Sequence, residues 1–327
     1  MNADELVEQF LSGIETQAVQ SPERTQMLRT LTLRIVQLAA FDPDDGDLRV
    51  TTTVLNELLA AAHVFSPWRE HPKLTVFGSA RTKPGTPLYE MARELSRIMA
   101  ERGWITVSGA GPGIMEAAAL GAGIENTLGV NITLPFEQSS NPYVDAETRL
   151  VEMKYFFTRK VALTKESIAF AIFPGGLGTM DEAFEILTLL HTGKSDPAPV
   201  ILVETPGGTY WQQWRHFIDE ALIANNYVDK IDSCLYTVCY SNDDVVAEIE
   251  QFYANYVRFE TDNGRGRLEV RTAPSAKQLE PLDEEFPQFG AGEGFVREDD
   301  RSFSFTFDGR NYVNLRLLID IVNAWSD

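Results

Sequence analysis

The stretch Ile168–Glu182, IAFAIFPGGLGTMDE, decides how this chain folds. Six apolar residues, 168–173, end abruptly at Pro-Gly-Gly. A run this short, apolar on both faces and closed by turn residues, reads as a strand buried within a parallel sheet. Gly175, Gly176 and Gly178 then form a loop at the strand's carboxyl end, and TMDEAFEILTLLHTG (179–193) continues as a helix with Thr179 as its N-cap. Asp181 and Glu182 fall in its first turn, where carboxylates suit the helix dipole. Glycines at such a junction let the backbone approach an anion and aim helix N–H groups at it. They serve equally well as a tight turn before two helix-starting acids, so the motif alone leaves both readings open.

Outward from this unit the same rhythm repeats. LTVFG (74–78), WITVSG (104–109), LGVNITL (128–134), PVILVE (199–204) and CLYTVCY (234–240) read as further strands. PLYEMARELSRIMAERG (87–103), IMEAAALGA (114–122) and KYFFTRKVALTKES (154–167) read as helices between them. Such alternation predicts an α/β, doubly wound, mostly parallel Rossmann-like sheet, which binds ligands beyond the carboxyl ends of its strands. It is expected over residues 69–257. Residues 1–68 are expected to be a helical extension, with amphipathic spacing through Leu6, Phe10, Leu11 and Ile14, from Leu28 to Leu38, and through Val54, Leu55, Leu58 and Leu59. In SPER (21–24), Ser21 and Pro22 mark a helix start, and SPWREHP (66–72) reads as a hinge. Residues 258–327 carry acidic clusters among glycines and prolines, an alternating SFSFTF (302–307), and YVNLRLLIDIVNAW (312–325), which fits a strand or an amphipathic helix. This zone reads as a small, loosely attached C-terminal extension.

A second glycine loop, SGAGPGIMEAA (108–118), also lies between a strand and a helix. It lacks the G-x-G-x-x-G spacing of dinucleotide sites. Arg159 and Lys160 form an adjacent basic pair on a helix. Such a pair usually faces solvent, but here the next strand runs straight into PGGLGT, which puts Arg159 within reach of that loop. The chain is 327 residues long, 44% hydrophobic, with a formal net charge of −20. So acidic a surface repels nucleic-acid backbones and requires any phosphate site to be built locally. No apolar run approaches the ~20 residues of a membrane span, and MNADELVEQF is not a secretory leader. Cys234 and Cys239 read as reduced thiols on opposite faces of one strand. His63, His71, His191 and His216 are scattered without ligand spacing, so no metal site is expected. These features point to a cytoplasmic protein without nucleic-acid or membrane partners.

Together, EMKYFFTRK (152–160) and PGGLGTMDE (174–182) resemble the paired signature of the Lonely Guy (LOG) family, often mislabelled as lysine decarboxylase. Every fixed position of its PGGxGTxxE motif is met by Pro174, Gly175, Gly176, Gly178, Thr179 and Glu182. SGAGPGIMEAA is similar to the family's phosphate-side loop, with Ala110 where a third consecutive glycine is common, and LPFEQSSNPYVD (134–145) resembles a segment of bacterial members. The resemblance covers roughly residues 73–256. It implies hydrolysis of a nucleoside 5′-monophosphate, such as AMP or a cytokinin riboside monophosphate, to free base and ribose 5-phosphate, without a cofactor. By the same resemblance Arg159 and Glu182 are the catalytic pair, with Arg159 holding Glu182 ionised. Ser108, Gly109, Gly111, Gly113, Met153, Lys160, Gly175, Gly176, Gly178 and Thr179 would bind substrate or phosphate. Related folds also serve as non-catalytic nucleotide sensors or carriers, a reading that retention of Arg159 and Glu182 opposes. Lysine decarboxylation would need a pyridoxal-phosphate lysine with its partner, and no such arrangement is apparent. The family further implies a homodimer or higher homo-oligomer.

Overall fold

A computed structural model describes residues 3–13, 21–133, 140–272, 274–290, 292 and 294–325. Ile14 and residues 134–139 of LPFEQSSNPYVD lie outside the described residues. The chain divides into two compact units, residues 1–56 and 57–327.

The first unit contains α1 (Ala3–Ser12), α2 (Pro22–Ala40) and the beginning of α3 (Asp45–Phe65). Ser21 is the N-cap of α2 and Pro22 its first helical residue, as the sequence predicts. α1 packs on α2, yet α2 itself buries no residue.

The second unit is built on a seven-stranded sheet that is parallel throughout, in the order β4-β3-β2-β1-β5-β6-β7. Its strands are β1 (Lys73–Phe77), β2 (Ile105–Ser108), β3 (Thr127–Ile132), β4 (Leu150–Met153), β5 (Ala169–Ile172), β6 (Val200–Val203) and β7 (Thr237–Cys239). Alternate side chains enter two cores. Phe170, Ile172, Val200 and Leu202 pack with residues of α6 (Phe156–Lys165), α7 (Leu177–His191) and α8 (Tyr210–Phe217). Ala169, Ala171, Ile201 and Val203 face α4 (Pro87–Glu101), α5 (Ile114–Ala122) and α9 (Asn242–Phe252). Burial on both faces is why these strands carry no polar alternation. The chain winds outward from β1 through β4, then returns to place β5 on the other side of β1, so the topological switch lies between β1 and β5.

Three expectations need correction. Residues 234–240 are not one strand: Lys230–Leu235 forms a 3₁₀ helix and only Thr237–Cys239 joins the sheet. Cys234 is therefore not on a strand, and the opposite-face argument lapses. Both thiols are free, and burial pushes them up, to about 11 for Cys234 and about 12 for Cys239. Leu150–Met153, which carried no strand expectation, forms the sheet edge β4.

The C-terminal zone is also not loosely attached. It forms a four-stranded antiparallel sheet, ordered β10-β11-β9-β8, from β8 (Tyr256–Asp262), β9 (Arg265–Val270), β10 (Val296–Arg297) and β11 (Ser302–Thr306). Two one-turn helices, α10 (Ala276–Leu279) and α11 (Leu282–Glu285), lead to the ambiguous final segment, which is helix α12 (Tyr312–Asn323). Phe289, Phe303, Phe305, Phe307 and Leu318 share its core with Phe252 of α9. The Asn323 amide closes the junction: its oxygen accepts from Asn255 N at 2.9 Å and Tyr256 N at 2.7 Å, and its nitrogen donates to Phe252 O at 2.6 Å. No described helix is long and apolar enough to cross a membrane.

Candidate active site

Four loops meet at the carboxyl ends of β1, β2, β5 and β6. At the switch point, Ser79 N donates to Pro174 O at 3.2 Å, tying the loop after β1 to the loop after β5. The Ser79 carbonyl accepts from Ile114 N at 3.1 Å, joining it to the start of α5. Gly113 has φ +69°, and a Cβ there would overlap Ser79 O. Sequence reasoning passed over this first loop, FGSART (77–82), although a Gly-Ser pair directly after a strand was a signal for it.

In the loop after β2, buried Ser108 accepts the Ala110 N–H on its Oγ at 3.2 Å. Ala110 takes φ +56°, a left-handed conformation that costs a non-glycine residue about 1–2 kcal/mol. The common glycine at this position answers that requirement. Asn141 fastens the loop, its N–H donating to Ala110 O at 2.9 Å and its side chain to Gly111 O at 3.1 Å. Asn141 belongs to the segment whose likeness to bacterial members was noted, and this gives its described part a physical task.

Arg159 and Lys160 are neighbours on α6 but face different partners. Arg159 Nε donates to Val130 O at 2.9 Å and Nη2 to Gly109 O at 3.2 Å. A Cβ on Gly109 would overlap this guanidinium, so Gly109 is glycine for the sake of Arg159. Lys160 Nζ instead turns toward α7. It lies 2.9 Å from Asp181 Oδ2 and 3.6 Å from Glu182 Oε2, and it hydrogen-bonds Glu185. Burial opposes the Lys160 charge, yet its bonds to Glu185 and Asp181 leave it raised from the ordinary lysine value. Met153, at the end of β4, is buried in the core beneath.

The start of α6 is braced from α3. Glu57, itself buried, accepts the Lys154 N–H at 2.6 Å and the Thr158 hydroxyl. A carboxylate here satisfies donors at a helix start and complements its dipole. Nothing in the local sequence around Glu57 announced this pairing with residues about a hundred positions away.

α7 begins three residues earlier than an N-cap at Thr179 would place it. Gly176 is its N-cap, so Thr179 lies inside the first turn and Asp181 and Glu182 stand beyond it. The N-cap role assigned to Thr179 is thereby corrected. Gly175 is constrained, since a Cβ there would overlap the Thr179 side chain and crowd Ser79 N. Gly176 and Gly178 face open space, which leaves the first backbone N–H groups of α7 accessible. Tyr210, from α8, donates its hydroxyl to Gly175 O at 2.6 Å. Buried Glu204 holds that tyrosine's own loop, accepting Thr205 N at 3.1 Å and Tyr210 N at 3.0 Å. These residues were missing from the sequence-based set.

Glu182 is 7% exposed, and its Oε2 has no hydrogen-bond partner in the structure. Burial pushes its carboxyl up from the ordinary value, against the opposing pull of Lys160 first and Arg159 second. This corrects the expectation that Arg159 would set its charge state: desolvation wins, and Lys160 is the leading counterion. A cavity of about 260 Å³ lies elsewhere, on the face of α7 opposite Glu182, lined by Phe184, Leu187, His191, Trp214, Tyr227 and Tyr236 among others. Among the described residues no three His, Cys, Asp or Glu side chains gather as a metal site.

The family described as "Possible lysine decarboxylase" matches residues 113–249. A stretch of 134 residues is 29% identical to the cytokinin riboside 5′-monophosphate phosphoribohydrolase of Mycobacterium tuberculosis, covering 40% of this chain and 65% of that relative. The match thus spans just under two thirds of the relative's length. Among solved structures, a structural-genomics target is 26% identical over 55% of this chain and 99% of its own, with a TM-score of 0.39. The molybdenum cofactor carrier protein of Chlamydomonas reinhardtii is 21% identical over 56% of this chain and 98% of its own, with a TM-score of 0.40. The matched segment, 113–249, holds the second glycine loop's helix, both cations and the whole of PGGLGTMDE, the residues on which the resemblance to the Lonely Guy family rests.

Proposed function

We propose that this protein is a nucleoside 5′-monophosphate phosphoribohydrolase, taking AMP or a cytokinin riboside monophosphate. The observation that carries the reading is Glu182: a buried carboxylate with an unpartnered oxygen, beside Lys160, at the switch point of a parallel sheet. A protein that only bound a phosphate would gain nothing from a negative group there. The open N-terminus of α7 and the loop after β2 would take the 5′-phosphate, and Arg159 would contribute positive charge beside Gly109. As the bond from C1′ to the base nitrogen breaks, positive charge develops on the sugar, and ionised Glu182 stabilises it. Water adds to C1′ as a hydroxyl, keeping one proton there, and its other proton passes by way of Glu182 to the departing base nitrogen. The products are free base and ribose 5-phosphate. We assign it no cofactor, nucleic acid or membrane, and place it in the cytoplasm. The exposed Phe156, Phe157 and Val161 of α6 supply an apolar face for a homodimer or larger homo-oligomer.

The test is incubation with AMP and other nucleoside monophosphates, with chromatographic detection of free base and titration of binding. Release that disappears in Glu182→Gln while AMP still binds is the expected result. Binding without release from any monophosphate would refute the enzyme reading.

A further inference from the structure

The cavity on the far side of α7 is separate from the Glu182 site. At about 100° per residue, Phe184, Leu187, Thr188 and His191 project between about 140° and 240° around the helix from Glu182. All four line the cavity. A second wall comes from a π-helical turn, Ile218–Ile223. Here Ala224 N and Tyr227 N reach back five residues, to Asp219 O and Leu222 O, each at 2.9 Å. Ile218, Leu222 and Tyr227 line the cavity from this segment. A π turn is rare, and it is found frequently where a helix serves a functional site.

Volume and chemistry narrow the occupant. A dry apolar cavity of about 150 Å³ holds one benzene ring, so about 260 Å³ fits a fused pair of rings. Phe184, Trp214, Tyr227 and Tyr236 give it aromatic walls. Tyr236 stands edge-on to Trp214 at 5.1 Å, and Phe184 is tilted against it at 5.8 Å. No lysine or arginine lines the cavity, and its one carboxylate, Asp232, is engaged by His191, whose Nδ1 lies 3.3 Å from Oδ1. A phosphate or carboxylate group would find no counterion in the lining, which favours a neutral occupant. One polar group lacks a partner. Trp211 and Trp214 pack edge to face at 5.9 Å, and Trp211 donates its Nε1 to Val203 O at 2.9 Å. Trp214 is 8% exposed, and its Nε1 has no acceptor among the described residues. A buried indole N–H normally finds one. We infer that this cavity binds a neutral, planar, two-ring heteroaromatic molecule, one of whose ring nitrogens accepts from Trp214 Nε1.

The probes are benzimidazole and indole, which match in shape and in their N–H but differ at one ring position, a nitrogen acceptor in the first and C–H in the second. Calorimetry on the full chain, in mildly alkaline buffer where both are neutral, should show one benzimidazole bound per chain with Kd below about 1 mM. Indole should bind at least about tenfold more weakly. In Trp214→Phe that preference should vanish. In Thr188→Trp, which plugs the cavity from an exposed position of α7, benzimidazole binding should be lost. No benzimidazole binding, or equal binding of the two probes, by the wild-type chain overturns the proposal. So does a preference retained by folded Trp214→Phe, or full binding by folded Thr188→Trp, with circular dichroism checking the fold. If either variant fails to fold, Tyr227→Ala decides in its place, because that side chain is 76% exposed. Its loss should weaken benzimidazole about fivefold, and unchanged affinity overturns the proposal.

Discussion

Replacing Lys160 by Met removes the leading counterion of Glu182 while keeping most of the apolar stem. Nζ stands 3.6 Å from Glu182 Oε2. Two unit charges at that separation attract by about 4–5 kcal/mol at an effective dielectric of about 20. Lys160 divides its charge among Asp181, Glu182 and Glu185, so only part of this attraction acts on Glu182. A cation at such range lowers a carboxyl by about 1–3 units, and its removal should raise Glu182 by that amount above a position that burial has already lifted. The proposed chemistry uses the ionised form, so the acid limb of kcat/KM for base release should move to higher pH by about 1–3 units. Glu182→Gln would abolish the limb together with the activity. Stability carries the same sign. A buried carboxyl with a raised pKa favours the fold when protonated, and that contribution declines as pH rises through the folded value. The stability deficit of Lys160→Met should therefore be smaller in mildly acidic buffer than in alkaline buffer. An acid limb that stays at the wild-type pH, in a variant that still turns over, would refute Lys160 as the group that sets the charge of Glu182.

Gly109→Ala should dislodge the Arg159 guanidinium, raising KM for the monophosphate at least about tenfold with circular dichroism unchanged; a wild-type KM would contradict the contact. Glu57→Ala removes two hydrogen bonds to a buried carboxylate and should lower the urea-unfolding free energy by about 2–4 kcal/mol, with Glu57→Gln recovering part of the loss. Tyr210→Phe deletes one bond to the PGG loop and should cost about 1 kcal/mol in kcat/KM, read as a steady-state rate at limiting substrate.

The parallel sheet was legible because its strands are buried on both faces and therefore lack polar interruptions, as AFAI and VILV show. β4 was not legible, because Leu150–Met153 is a short edge strand with the polar Glu152 exposed in its middle. In the C-terminal zone the acidic residues dominated the reading. The fold there is organised by phenylalanines separated by glycines and acids, and their convergence on one core is a long-range fact. PGGLGTMDE was legible as a loop before a helix, but its register was off by three residues. Thr179 looks like an N-cap by residue type, whereas Gly176 holds that place because the crowded Gly175 turns the chain into the helix immediately. Glu57, Asn141, Glu204 and Tyr210 act through partners 97, 30, 6 and 35 positions away, and only the 6-residue separation lies within a local window.

The basic pair shows how adjacency in sequence conceals division in space. Arg159 and Lys160 are one residue apart, which on a helix is a rotation of about 100°. That rotation sends Arg159 to the carbonyls of Val130 and Gly109 and sends Lys160 across to three carboxylates of α7. Fixed to backbone acceptors, a guanidinium keeps a permanent charge in one orientation beside the loop after β2, which suits an anion held by that loop. An ammonium among carboxylates is a compact counterion that balances a buried acid without bonding its free oxygen, which suits a carboxylate kept available for another partner. Exchange of the two residues would preserve total charge and lose both arrangements, since lysine has no planar fork for two carbonyls and arginine is not the compact point charge that Lys160 places among three carboxylates. Phosphate recognition and control of the buried acid thus reside in neighbouring residues of one helix, and α3 holds that helix in place through Glu57.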